Sequence, residues 1–292
     1  MIPVTADEMT SAPNLANNQR GRRKRPHIVT VLAGAMLLFF LIMAIFPNLV
    51  AQHDPTKQDL RNRLAPPVWA IDGEWTHPLG TDHLGRDLWA RIVYGTRITA
   101  LIAGGAVLVA GLLGTALGLL AGFSGGWLDE IIMRLADIQL SFSPILLVIA
   151  IMAVIGPGIS NVILVLGFVS WVQYARVVRG ETLLIKETPY IEAAHSVGMR
   201  HRRIMWRHIL PNVLPSLLVI AAVNCSQQIL NEAALSFLGL GVKPPTPAWG
   251  SMLAEGQSYF QVAWWNAFFP GVAILLAVLA INLLGDRLSD LR

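Results

Sequence analysis

Asn224, Gln227, Gln228 and Asn231 follow one another at spacings of three, one and three inside an otherwise apolar run, so a helix would carry them as one stripe. Uncharged amides donate and accept hydrogen bonds but offer neither a nucleophile nor a proton that titrates near neutral pH. At membrane depth such groups need partners or water. We read the stripe as the wall of a translocation pathway, with bonding to a neighbouring helix as the alternative. Reactive chemistry finds little elsewhere. Cys225 is the only cysteine, which excludes an intrachain disulfide, a thiolate metal cluster and a Cys-pair redox motif. No His-Glu-x-x-His motif and no nucleophile with a base stands in an apolar run, so an intramembrane enzyme is disfavoured. His53, His77 and His83 share one loop, but their spacing matches no known ligand set and no metal site is expected. Glu232 and Asp286 read as solvated carboxylates at opposite ends of the spans. Arg134 and Asp137, three apart, read as a structural pair on one helical face.

A second group of residues suits docking rather than catalysis. The stretch from Arg176 to His208 is the most basic loop of the chain, with Arg176, Arg179, Lys186, Arg200, Arg202, Arg203 and Arg207. Within it Thr188 can serve as an N-cap, Pro189 suits the first helical position and Glu192 complements the helix dipole. A short helix is predicted to begin there. Ala193 and Ala194 give it a small-residue face, Gly198 allows a bend, and Ile204, Met205 and Trp206 lead to Pro211. Such a segment, held between two membrane helices, could sit in a groove on a soluble partner and pass its movement to both. A loop that only fixes topology through its charge is the plainer reading.

The elements that must position these residues are membrane spans. Hydrophobic residues make up 54% of the 292, charged residues 14%, and the mean hydropathy is +0.56, far beyond what one soluble core needs. Several runs of roughly 20 residues carry no charge, enough to cross ~30 Å of hydrocarbon. Residues 1–27 form a polar tail ending in Arg20, Arg22, Arg23, Lys24 and Arg25, expected to be disordered, cytoplasmic and held by anionic lipid. Residues 28–50 hold an uncleaved first helix, Ile28 to Phe46. Residues 51–97 form a periplasmic loop in which Leu84, Leu88 and Ile92 suggest an interfacial helix or an amphipathic helix packed on the protein. Residues 98–285 form a five-helix core. Its first helix, Ile98 to Phe123, carries Ala106, Ala110, Gly114, Gly118 and Gly122 at four-residue spacing, a stripe that lets another helix approach closely. A short inside loop comes next. The charge-free stretch Ile138 to Ala175 is broken at Gly156-Pro157-Gly158 into two helices, and the last two spans run about Asn212 to Leu230 and Trp264 to Gly285. Residues 286–292 end the chain inside.

With both termini inside, fifteen of the 22 Lys and Arg residues face the cytoplasm and seven the outside. Six of those seven sit in the long outer loop, where the positive-inside rule is weakest. The clustering of basic residues at the ends of apolar runs argues for membrane topology and against nucleic-acid binding. A lone secondary transporter would show two related halves or an intramembrane ionisable relay, and neither is present in the sequence.

The order of residues in the basic loop carries a resemblance. Glu192-Ala193-Ala194, then Gly198, then Leu210-Pro211 resembles the EAA loop through which permeases of binding-protein-dependent ABC importers engage their ATPase subunits, within residues 181–211. The general pattern has an isoleucine two places before the leucine; here His208 stands there and Ile209 comes after it. His77-Pro78-Leu79-Gly80-Thr81-Asp82 and Leu84-Gly85-Arg86-Asp87 are similar to the dipeptide, oligopeptide and nickel permease branch. So are Met133-Arg134 with Asp137, Leu235 to Gly241, Trp249-Gly250 and Asn282 to Asp286. Within the branch the chain looks like the second permease of the pair. The resemblance implies an all-α fold of six transmembrane helices, the type I importer permease, in the bacterial inner membrane. It implies a non-catalytic subunit that forms the pathway with a homologous permease. Two ATPase subunits would bind ATP and its magnesium, and a periplasmic or lipid-anchored binding protein would deliver the cargo. The chain has no Gly-x4-Gly-Lys-Ser/Thr sequence and no cofactor of its own is expected. Di- and oligopeptides are the expected cargo, with nickel chelates, glutathione or opines as alternatives.

Overall fold

The computed structural model describes residues 28–290. The basic tail of residues 1–27 and the last two residues lie outside the described residues. Helices dominate what is described, and Thr81 and Asp87 meet in an isolated antiparallel bridge. Helix α1 spans Ile28–Ile45, and the one-turn α2, Pro47–Val50, starts on a proline that needs no N–H partner. A long irregular segment with one short turn, Leu60–Asn62, then leads to α3.

Helix α3 runs Leu88–Ser124, 37 residues. Asp87 caps it by accepting from the Ala90 N–H at 2.8 Å, and Gly125, at φ +63°, ends it. The predicted interfacial helix is thus not a separate element. Leu88 and Ile92 belong to the first turns of α3 and are buried, and Arg91 is only 2% exposed instead of facing solvent. At ~1.5 Å per residue the helix is ~55 Å long, well beyond ~30 Å of hydrocarbon, so its capped end reaches past the bilayer.

The predicted inside loop before the third span is helical as well. Helix α4, Gly126–Leu140, and helix α5, Pro144–Ile155, meet at an angle of 87°. Ser141, Phe142 and Ser143 form the break, since the residue before Pro144 is driven out of the helical region and Pro144 itself lacks an N–H. Gly156, at φ +88°, then reverses the chain into α6, Ile159–Lys186. Helix α7, Pro189–Ser196, and α8, His201–Ile204, come next. A π turn over Met205–Ile209 joins α8 to α9, Leu210–Phe237. Helix α9 therefore extends seven residues past its predicted end at Leu230 and shortens the loop beyond it. That loop contains α10, Trp249–Gln257, and α11, Trp265–Asp290, closes the bundle.

Four described helices are long and apolar enough to cross a membrane, the bent pair α4–α5 adds a fifth candidate, and α1 is a shorter apolar helix. The bundle is drawn tightest between α3 and α6. Ala106 and Ala110 are fully buried, and a Cβ on Gly118 would stand 2.6 Å from the Ala175 carbonyl oxygen. A Cβ on Gly114 would meet the Trp171 carbonyl oxygen at 2.5 Å, and one on Gly122 the Thr182 Cβ at 2.8 Å. From α6, Gly167 returns the arrangement against Val109 and the Ala106 carbonyl. Where lipid is as apolar as the side chains, this backbone proximity supplies the dispersion contacts that hold two spans together.

Residues 51–87 are tied to the bundle by buried charge. Asp82 accepts from Arg86 Nε at 2.6 Å and from Arg91 Nη1, and Glu255 of α10 accepts from Arg86 Nη2 at 2.9 Å and Arg91 Nη1 at 2.8 Å. Burial alone would push the Asp82 carboxyl up. The Arg91 charge, the Arg86 and Leu84 backbone N–H groups and the Arg86 charge together hold it below its ordinary value.

Candidate functional site

The polar stripe divides in two. Asn224 donates to the Gln173 side-chain amide oxygen at 2.7 Å and Gln228 donates to the Ser170 hydroxyl at 2.7 Å, so these two buried amides bind α9 to α6. Gln227 donates to Asn231 at 3.3 Å, and this pair remains more accessible. All four line a cavity of about 280 Å³ whose other walls come from the α4–α5 bend and from α6. The bonding alternative thus holds for Asn224 and Gln228, while Gln227 and Asn231 bond to each other at the cavity wall. Gln139, Ser170 and Gln173 complete the polar wall. Gln139 is held by donating to the Val169 carbonyl at 2.6 Å and accepting from the Trp171 indole at 2.8 Å. These three were visible as polar positions in the charge-free stretch from Ile138 to Ala175, with Ser170 and Gln173 three apart. Only the right-angled bend brings Gln139 to the same cavity.

Helix α7 lies at the opposite end of the bundle from the Asp82 network. Pro189 is its first residue, but the Thr188 hydroxyl donates back to the Ile185 carbonyl at 2.7 Å and does not cap it. Ile191 and Ala194 are buried in a cluster with Leu119 of α3, Val178 of α6, Ile204, Ile209 and Val213 of α9. Glu192 and Ala193 face outward. The small-residue face is thus split: Ala194 anchors the helix and Ala193 is offered to the surroundings. Gly198, at φ +78°, ends the helix, with its N–H on the His195 carbonyl at 2.9 Å and the Met199 N–H on the Ala194 carbonyl at 3.2 Å. Leu210 packs on the same cluster and Pro211, exposed, sits in the first turn of α9.

The π turn accounts for the unusual order His208-Ile209. A π turn takes one residue more than an α turn, which rotates every later side chain about the helix axis. Ile209 is fully buried in the cluster, and His208 instead meets the Tyr190 hydroxyl of α7 through Nδ1. The phenol–imidazole contact, rings 5.2 Å apart, adds a second tie between α7 and the base of α9.

Other sequence readings change. Glu232 is fully buried rather than solvated, accepting from the Ser236 hydroxyl at 2.7 Å and the Thr99 hydroxyl at 3.4 Å, so it joins α9 to α3. Asp137 pairs with Arg176 of α6 at 2.6 Å and not with Arg134. Asp129 likewise takes both forks of Arg179, at 2.5 and 2.7 Å, which fastens α4 to α6. Asp286 is exposed, next to Arg287, whose Nε donates to Thr30 of α1. Of the three histidines, His53 and His77 lie together, while His83 stacks on Tyr259.

The family described as "Binding-protein-dependent transport system inner membrane component" matches residues 114–291. The chain belongs to that family. Residues 22–67 of this permease match the N-terminal TM domain of oligopeptide transport permease C. The permease is 43% identical to the di/tripeptide transport system permease protein DppC of Pseudomonas aeruginosa over 88% of its own length and 86% of the relative's. To the glutathione transport system permease protein GsiD of Pectobacterium atrosepticum it is 40% identical over 99% and 93%. To the probable D,D-dipeptide transport system permease protein DdpC of Escherichia coli it is 39% identical over 90% and 86%. Among solved structures, an inward-facing form of the MetNI methionine ABC transporter aligns at a TM-score of 0.55 and 21% identity, covering 68% of this chain and 94% of that one, a likeness of fold. The permease is a multi-pass component of the inner membrane.

Proposed function

We propose that the chain crosses the membrane six times, counting α1 and the bent pair, with both termini in the cytoplasm. In this reading it forms, with a homologous permease, the pathway of an ATP-driven importer of di- or oligopeptides, glutathione being the second cargo to test. One of two ATPase subunits docks on α7, and the pair hydrolyses ATP with magnesium. The permease itself catalyses nothing and needs no cofactor for transport. A binding protein presents cargo at the face bearing residues 51–87. The observation that carries the reading is the placement of α7. Glu192 and Ala193 point away from the bundle while Ile191 and Ala194 join the ends of three spans, so force on the outer face reaches α3, α6 and α9 together. The relatives named for peptide and glutathione transport support the cargo.

Affinity purification in mild detergent is expected to recover one homologous permease and two P-loop ATPase chains per copy. Ala193→Cys is expected to crosslink to the ATPase, whereas Ala194→Cys, being buried, is not. Recovery of the chain alone, with Ala193→Cys still uncrosslinked, would return the self-sufficient transporter to first place.

The two halves of the polar stripe should separate under mutation. Gln227→Leu is expected to reduce peptide uptake in membrane vesicles while yield and subunit stoichiometry stay as in the parent. Gln228→Leu removes a buried amide's bonds to the Ser170 hydroxyl and to Asn224 and should cost ~0.5–1.5 kcal/mol of stability, read as a lower unfolding midpoint in detergent.

A further inference from the structure

We propose that His53, His77 and Asp87 form a site for a divalent transition-metal ion of the zinc class, at the end of the bundle opposite α7. His77 Nδ1 lies 3.0 Å from Asp87 Oδ1 and His53 Nδ1 lies 3.9 Å from Asp87 Oδ2. The two rings are 5.2 Å apart, and one donor atom from each of the three residues falls within 4.8 Å of the others. Ligands held at ~2.0–2.2 Å around a tetrahedral ion are separated by roughly 3.3 Å, so small rotations of exposed His53 close the set. Two imidazoles and one carboxylate are the donor mixture that zinc takes when a fourth position is left to water.

The charge around Asp87 points the same way. Asp87 is 3% exposed, and its only ion-pair partners among the described residues are these two histidines. His77 Nδ1 and the Ala90 N–H reach the carboxylate as hydrogen-bond partners, and a bound cation would neutralise its charge directly. The neighbouring set Asp82, His83 and Glu255 has similar spacing but a different balance. Both of its carboxylates are taken by Arg86 and Arg91, whose two positive charges repel a metal ion. The ion would tie three points of the chain, one just after α2, one in the turn before the Thr81–Asp87 bridge and one at the cap of α3. The site goes beyond the transport reading and does not depend on it. The positive end of α3 opposes a cation, so affinity in the micromolar range is expected.

The full chain in detergent, stripped with EDTA, is titrated with zinc chloride by calorimetry and by competition with a chromophoric chelator. One equivalent is expected to bind, His53→Ala is expected to weaken binding by ~100-fold or more, and His83→Ala is expected to leave it unchanged. His53 is a surface side chain, so its loss spares the fold; a matching unfolding midpoint without metal verifies this. Absence of saturable binding to the parent, undiminished binding by His53→Ala, or an equal loss in His83→Ala would overturn the site.

Discussion

Arg91→Met is expected to lower the stability of the permease by about 3 kcal/mol, the low end of the cost of breaking a buried ion pair, because two carboxylates are then left to share one arginine. Arg91 is 2% exposed and donates to both Asp82 and Glu255, so removing it leaves Arg86 facing two carboxylates. A cycle with Glu255→Gln separates the pair from its surroundings: the double variant should lose clearly less than the sum of the single losses. Unfolding midpoints at one scan rate in one detergent provide the comparison. Equal and additive losses would show that the network is proximity without energetic coupling. The same network predicts an acid limit. In the folded chain the Asp82 carboxyl stays below its ordinary 3.8, so the unfolded chain takes up the proton first as pH falls. Its contribution is complete above about pH 5 and is lost as the pH drops through and below 3.8 towards the folded-state value. The midpoint should therefore be insensitive to Asp82 between neutral pH and about 5, and fall more steeply below about 4 in the parent than in Arg91→Met.

Gly118→Val is expected to have an effect of similar size on assembly of the bundle. The first atom added meets the backbone of α6, the Ala175 carbonyl oxygen at 2.6 Å and Cα at 3.0 Å, which no rotamer change can relieve. Overpacking a tight core costs ~1–3 kcal/mol, and here the helices must part along the whole seam, so the top of that range is expected. Gly104 on the same helix faces open space, and Gly104→Ala should match or slightly exceed the parent because alanine favours helix. Yield of monodisperse protein and the unfolding midpoint distinguish the two. A Gly118→Val protein as stable as Gly104→Ala would mean that α3 and α6 are held by something other than their close approach.

The parts of the fold legible in the sequence came from local rules. Apolar runs marked spans, Gly156-Pro157-Gly158 marked a reversal, and the four-residue repeat from Ala106 to Gly122 marked the face along which α3 meets α6. Pro189 and Gly198 marked the two ends of α7. The features that escaped were set by partners distant in the chain. Glu232 looked solvated because its partner Thr99 stands 133 residues away, and the Arg91 network was invisible because Glu255 stands 164 residues away. Most of α4 looked like a loop because charged residues stand along it, the carboxylates Asp129 and Asp137 among them. Each of these two is in fact neutralised by an arginine of α6, which lets the helix start well before the apolar run. His208 looked like a flaw in a motif until the π turn gave the buried place to Ile209.

The wall around Gln227 and Asn231 is built from amides, hydroxyls and aliphatic groups, with no ionisable side chain on it among the described residues. Its field is therefore short-ranged and reversible: dipoles fade faster with distance than charges, and an amide can turn either its NH2 or its carbonyl towards a passing group. A zwitterion, a cation and an anion meet the same surface there, neither trapped nor repelled by a fixed charge. If the proposed pathway runs along this wall, throughput should vary with the width of the passing solute and not with its valence.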